Sequence, residues 1–163
     1  MGKYIGESVL RKEDPRLVTG EAKYLEDIKL SGMVHAVVKR SDYAHAKIKN
    51  IDTSEAEKVP GVIGVWTGKD FEDVNPMPCA WQAGGVDNNA YTPRVLEIDK
   101  VTFTGQGVAV VVSENRNIAE DASSKIVVDY EELPIVVSAE EAIKPGAPQL
   151  HENAPNNICM EWE

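Results

Sequence analysis

The sequence predicts an α+β domain, with mixed strands in one sheet system and a few short helices packed on it. Short Val-rich or alternating segments indicate strands, and the most apolar of them is Val108–Val112. Short helix-forming segments lie among these strands without strict alternation. Hydrophobic residues make up 42% of the 163 residues and charged residues 27%. This ordinary globular composition excludes a disordered chain, a collagen and a coiled coil.

The organisation along the chain is expected to have three parts. Residues 1–30 are predicted to form an extended N-terminal arm, in which Asp14-Pro15 and Thr19-Gly20 are turn signals. Residues 31–145 are predicted to form the compact domain. Residues 146–163 form a C-terminal segment in which Ile158, Met160 and Trp162 alternate with polar or small residues, a strand pattern with one apolar face.

The first half of the domain begins with two predicted strands, a Val-rich one at Met33–Arg40 and a half-buried one at Ser41–Asn50, where apolar residues recur with period two. Capping side chains at 52–54 then predict a short helix that Pro60-Gly61 ends. Val62–Thr67 follows as a predicted buried strand.

The segment Asp73–Pro93 is predicted to be a long loop, since it holds three prolines and no period. Long loops in compact domains are often functional or bound to a partner. This one carries Trp81 and Tyr91, which are costly to leave exposed together.

The second half of the domain contains the predicted central strand, Val108–Val112. Asn115 or Asn117 caps a predicted helix, and Lys125–Tyr130 is a predicted strand. Ser138 caps a brief helix that ends before Pro145.

Charge and cysteine content restrict the classes of partner and site. The net charge is −10, and the acidic excess lies beyond residue 50, which argues against a nucleic-acid partner. No apolar run of about 18 residues occurs, so no membrane helix is expected. Cys79 and Cys159 make no disulfide framework and indicate free thiols in a reducing compartment, which favours a cytoplasmic location.

Spacing and composition alone point to no active site, and neither a catalytic, a cofactor-binding nor a metal-ligating residue is assigned. Ser41 and His45 are expected to be hydrogen-bonded structural residues, because no nucleophile motif precedes them. The glycines at 105 and 107 lead into a strand rather than a helix, which indicates a tight turn or bulge and not a phosphate loop. Glu131 and Glu132 point to opposite faces of a strand, so they do not form a catalytic pair.

Several motifs occur together in one order along almost the whole chain, roughly residues 5–157. The most specific are DPRLVTG at 14–20, RS-x-x-AHA-x-I at 40–48 and VDYEELP at 128–134, followed by Pro148, His151 and Asn157. The chain thereby resembles the N-terminal α/β-hammerhead domain of the molybdenum-binding large subunit in the xanthine dehydrogenase, aldehyde oxidase and carbon monoxide dehydrogenase family.

The resemblance implies membership of an oxidoreductase complex. Enzymes of this family hydroxylate aldehydes, purines or other N-heterocycles, or oxidise carbon monoxide. They use a molybdenum–pterin centre, iron–sulfur clusters and FAD. The family's pterin-binding stretches and its glutamate base lie downstream of the hammerhead, so this chain alone is expected to bind none of these cofactors and to be inactive.

The expected partners are therefore the molybdenum domain, as a separate chain or as the rest of the large subunit, and iron–sulfur and flavin subunits in a hetero-oligomer. The chain is expected to be either the product of a split gene or an expressed fragment. Candidate interface residues are Trp81, Tyr91, Ile158, Met160 and Trp162, because aromatic and Met side chains suit an interface core. For the two tryptophans, burial in the domain's own core is an equal alternative. The alternative function is a free-standing hammerhead module for binding or scaffolding, without enzymatic activity.

Overall fold

The computed structural model describes residues 4–77 and 92–160 of the chain. These residues belong to two compact units, Met1–Met33 and Val34–Glu163. No helix within the described ranges is both long and apolar enough to cross a membrane.

The first unit contains a helix where a turn was predicted. Helix α1 spans Asp14–Val18, and Pro15 lies in its first turn. Proline is favoured there because its missing N–H group would have no helical partner and its fixed φ already suits the helix. A 3-10 turn follows at Leu25–Asp27, where the Asp27 carboxylate accepts a hydrogen bond of 2.9 Å from the Tyr24 N–H. The prediction of a purely extended arm is therefore wrong at these two places.

The second unit consists of two three-stranded sheets. The strands in its described residues are β1 (His35–Arg40), β2 (Ala46–Asp52), β3 (Val62–Thr67), β4 (Lys100–Val101), β5 (Gly107–Ser113) and β6 (Val127–Glu132). The first sheet has the order β1-β5-β3 and the second the order β4-β2-β6, with antiparallel pairing throughout. The central position of β5 confirms the prediction made from Val108–Val112.

Where the structure describes the second unit, the α-helices are α2 (Ser54–Glu57), α3 (Arg116–Ser124) and α4 (Ala139–Ala142), and short 3-10 helices lie at Gly68–Phe71 and Pro155–Asn157. Two of the predicted caps are confirmed, whereas the side chain of Thr53, the residue before α2, makes no capping hydrogen bond. The Asn115 side chain accepts from the Ile118 N–H at 3.0 Å, and Ser138 accepts from the Glu141 N–H at 3.4 Å. Helix α3 places Ala119 and Ala122 in the main core, against Ala109 and Val111 of β5.

Two strand boundaries differ from the prediction for local reasons. Strand β2 begins at Ala46 rather than Ser41, because the Ser41 hydroxyl accepts from the Tyr43 N–H at 3.0 Å and folds this stretch into a turn. Strand β6 begins at Val127, since the Ile126 N–H is still bonded to the Ser123 carbonyl at the end of α3. The turn at Gly105 is confirmed, with a φ of +96°.

The predicted long loop and terminal strand are described only in part. Residues 74–77 and 92–93 belong to no helix or strand, and the centre of the loop lies outside the described residues. Residues 158–160 form no strand, although Ile158 has an extended backbone with φ −95° and ψ 115°.

Candidate functional site

Only two of the predicted interface residues are among those the structure describes. Ile158 and Met160 are half-buried, whereas Cys159 between them is exposed, so the alternation of the sequence appears in their burial without a strand. Trp81, Tyr91 and Trp162 lie outside the described residues. The role of all five at an interface stays a prediction.

The second unit contains a polar cleft of about 570 Å³. Its walls come from β2, from the segment that leads into β4, and from the C-terminal segment. Charged residues of both signs line it: Lys47, Arg94, Glu97, Asp99, Lys100 and Glu152, together with His151. The sequence indicated none of these as a group, because they come from three separate stretches of the chain.

A buried polar network lies beside this cleft. Glu97 and Gln106 are only 6% and 4% exposed, and the Gln106 Nε2 donates a hydrogen bond of 2.8 Å to the Glu97 carboxylate. The Gln106 Oε1 in turn accepts from the Thr102 N–H at 2.7 Å. The Glu97 N–H donates to the Gly107 carbonyl at 2.9 Å. These bonds attach the segment before β4 to the start of β5, and they supply the partners that buried polar groups need.

The C-terminal segment is fastened by two side chains. The Lys100 Nζ donates to the Leu150 carbonyl at 2.8 Å. The Asn157 side chain accepts from the Leu150 N–H and donates to the carbonyls of Ala142 and Pro148, each at 2.9 Å. One side chain therefore closes the loop between α4 and residue 157.

Two histidines lie near these hydrogen bonds of the C-terminal segment. The His45 Nδ1 is 2.7 Å from the Pro134 carbonyl, and the Ser41 hydroxyl donates to the Tyr43 carbonyl at 3.1 Å, so both side chains are hydrogen-bonded as expected. Burial lowers the pKa of His151, electrostatic interaction with Lys100 and His45 lowers it further, and interaction with Glu97 raises it. His151 is therefore held toward its neutral form.

The outward face of the second sheet is charged. The Lys47 ammonium lies 3.6 Å from the Glu131 carboxylate, and Lys49 forms a shorter ion pair with the same group. Hydrogen bonding to Lys49, then the charges of Lys47 and Lys49, lower the pKa of Glu131. All three side chains are about half exposed, so this is a solvated face with little net stabilisation.

The face of the first sheet that points away from the core is apolar, unlike the charged outward face of the second sheet. Val37, Ala109 and Val111 face the core under α3, and their strand neighbours point the opposite way. We call this opposite surface the outer face of the first sheet. It is formed by Ala36 and Val38 of β1, Val110 and Val112 of β5 and Trp66 of β3, together with the exposed Val34 just before β1. The sequence contained a signal for it: strands that are apolar on both faces are typical of sheets covered on both sides.

The described hydrogen bonds around the cleft join chain segments to one another. Within residues 4–77 and 92–160, no group of three or more His, Cys, Asp or Glu residues lies together as metal ligands would. The whole chain has two cysteines, fewer than the four that an iron–sulfur cluster takes. Among the described residues, the side chains therefore present no such ligand cluster.

The fold and the cleft together define an α+β domain in which hydrogen bonds hold the C-terminal segment against the strands. The family model for the aldehyde oxidase and xanthine dehydrogenase a/b hammerhead domain matches residues 19–134. The chain belongs to this family, and the hammerhead fold expected from the sequence is confirmed.

Similar proteins are large subunits of oxidoreductases. The chain is 42% identical to the carbon monoxide dehydrogenase large chain of Afipia carboxidovorans, over 91% of this chain and 18% of that protein. It is 40% identical to the nicotine 6-hydroxylase large subunit of Paenarthrobacter nicotinovorans, over 94% and 19%. The crystal structure of a Cu,Mo-CO dehydrogenase matches with a TM-score of 0.74 and 40% identity, over 91% of this chain and 18% of that one. The chain thus spans about a fifth of the length of these relatives.

Proposed function

We propose that this chain is the hammerhead part of a molybdenum-dependent hydroxylase or dehydrogenase large subunit, and that it acts as a structural domain within a larger complex. One observation carries the proposal. The chain matches large subunits at 40–42% identity over more than 90% of its own length, while it spans only 18–19% of theirs. It therefore corresponds to one domain of a much longer assembly.

The substrate class follows from the relatives and not from this chain. The names of the two curated relatives specify carbon monoxide and nicotine, and the family model adds aldehydes and xanthine. We propose that the substrate is an aldehyde, a purine or other N-heterocycle, or carbon monoxide. The choice among them would lie with residues outside this domain.

The cofactors are proposed to bind elsewhere in the complex. A molybdenum–pterin centre, iron–sulfur clusters and FAD would supply the redox chemistry, and this chain would contribute packing and placement. The two cysteines and the described side chains offer no set of ligands for the metals. The partners would be the molybdenum domain and the iron–sulfur and flavin subunits, in the cytoplasm.

Native purification tests the proposal. We would attach an affinity tag to this chain in its source cell and isolate the complex under reducing conditions. Mass spectrometry would identify every polypeptide, and elemental analysis would measure molybdenum and iron. An untagged strain, carried through the same columns, is the control for metal and protein that bind the resin.

The expected result is a hetero-oligomer with molybdenum and iron in amounts comparable to the tagged chain. Isolation of the chain by itself, free of molybdenum, would overturn the proposal and favour a free-standing hammerhead module. Molybdenum that stays with the 163-residue chain after all other polypeptides are removed would contradict the placement of the cofactors elsewhere.

A further inference from the structure

The outer face of the first sheet is apolar and accessible. Val34 is 51% exposed and Val38 is 36% exposed, and Ala36 between them is exposed as well. Val110, Val112 and Trp66 continue this surface across β5 and β3, and all three are half-buried. Such a contiguous apolar surface is unusual on a solvent-facing sheet and marks an interaction site.

Two other faces of the sheets are already occupied or polar. Helix α3 covers the core side of the first sheet through Ala119 and Ala122. The outward face of the second sheet carries the ion pairs of Lys47 and Lys49 with Glu131. Because a permanent interface has an apolar core, the outer face of the first sheet fits one far better than the charged face does.

We infer that the outer face of the first sheet is the surface on which the remaining part of the large subunit packs. This inference rests on the proposed function. About four-fifths of the length of the matched large subunits lies outside the region that this chain covers. Within a subunit the contact between such parts is permanent, which agrees with a surface of four valines, an alanine and a tryptophan. The occupant is therefore an apolar surface of the molybdenum-bearing polypeptide.

Site-directed thiol labelling tests this inference in the purified native complex. One cysteine would be placed at position 38 by Val38→Cys, in a background where Cys79 and Cys159 are replaced by Ser. The matched control is Val127→Cys, because Val127 is also a strand valine but lies 65% exposed on β6 of the second sheet. Maleimide labelling rates are measured in the complex and in the 163-residue chain alone.

The expected result is that Val38→Cys reacts at least about tenfold more slowly in the complex than in the chain alone, because a buried thiol is inert. Val127→Cys should react at similar rates in both. Equal reactivity of Val38→Cys in both would overturn the inference. Slow labelling of Val38→Cys in the chain alone would also overturn the inference. Slow labelling at every protein concentration would indicate that residues 1–33 cover this face. Labelling that becomes slower as the concentration rises would indicate that a second copy covers it.

A charge at the same positions provides an independent measurement. Val38→Lys should lower the molybdenum recovered with the tagged chain by about tenfold, since burying an unpaired ammonium is costly. Val127→Lys should leave that recovery unchanged. If no molybdenum polypeptide co-purifies with the wild-type chain, both the proposed function and this inference fail. If it co-purifies and Val38 variants behave like Val127 variants, only this inference fails.

Discussion

The indole ring of Trp66 lies over Gly64, two residues earlier on β3. A Cβ atom at position 64 would come within 2.4 Å of the ring atom Cη2. Both residues belong to the same side of the sheet, because Gly64 pairs with Val112 and Trp66 with Val110. The absence of a side chain at position 64 is therefore what allows the ring to lie this close to the strand.

Replacing Gly64 by Ala should displace the Trp66 ring. Overpacking of this kind costs about 1–3 kcal/mol, and urea unfolding followed by circular dichroism measures the loss. The neighbouring Ile63 is 56% exposed, so Ile63→Ala is a matched control that should change the free energy of unfolding by less than about 0.5 kcal/mol. Equal losses of unfolding free energy for the two variants would show that the position of the Trp66 ring does not require glycine at position 64.

The strands were the most predictable part of this fold. Val62–Thr67 was predicted with the bounds that β3 has, because Pro60-Gly61 and Gly68 limit the strand on both sides. The failures occurred where a local bond competes with a longer-range pattern. Pro15 lies in the first turn of a helix where a turn was predicted, and the Ser41 hydroxyl makes a turn where period two indicated a strand. Neither outcome follows from hydrophobic periodicity.

The cleft was not predictable because its bonds join distant parts of the chain. Lys100 and Leu150 are fifty residues apart, and Asn157 reaches back to Ala142. Their proximity depends on how β2, β4 and the C-terminal segment pack. The sequence resemblance included Asn157 as a matching position, but it indicated no role for that side chain. The hydrogen bonds of the structure provide one.

Asn157→Ala should release the C-terminal segment. The substitution removes three hydrogen bonds and places alanine at a φ of +59°. The local cost is about 2 kcal/mol, which corresponds to roughly 30-fold faster exchange of the Leu150 amide. Hydrogen exchange measured by mass spectrometry over residues 142–157 detects this opening without global unfolding.

A variant of the neighbouring residue distinguishes the effect of losing the hydrogen bonds from the effect of backbone strain. Asn156 is exposed and has a similar φ of +54°. Asn156→Ala therefore carries the strain without the loss of the three bonds, and it should accelerate exchange much less than Asn157→Ala. If both variants accelerate exchange equally, the Asn157 side chain does not fasten the segment.

Gln106→Glu should destabilise the domain in a way that depends on pH. The new carboxylate would lie about 2.8 Å from Glu97, where both groups are nearly buried. Two carboxylates this close cannot both ionise, so one of them must bind a proton. We expect a loss of about 3 kcal/mol at pH 8 and a smaller loss at pH 5, measured by urea unfolding at both pH values.

The reciprocal exchange is the control for this prediction. In the double variant Glu97→Gln with Gln106→Glu, one carboxylate again faces one amide. The double variant should recover most of the stability that Gln106→Glu loses, and its pH dependence should return to that of the wild type. A double variant no more stable than Gln106→Glu alone would show that the two side chains do not interact as a pair.

His151 should make the stability of the second unit fall as the solution becomes acidic. Its pKa in the folded chain is lowered by burial first and then by Lys100 and His45. In the unfolded chain the pKa is about 6.5, so below that pH the unfolded chain binds a proton that folded His151 resists. Stability is therefore fully present above about pH 7 and declines as pH falls through 6.5.

Urea unfolding between pH 7.5 and pH 5.5 measures the contribution of His151. His151→Gln should flatten the decline over this interval, because it removes the group that takes up the proton. Glu152→Gln, a change at the adjacent exposed residue, should leave the decline in place. An unchanged slope in His151→Gln would assign the pH dependence to other groups. A flattened slope would assign the decline to protonation of His151, which lies in the C-terminal segment one residue after the Leu150 carbonyl that accepts from Lys100.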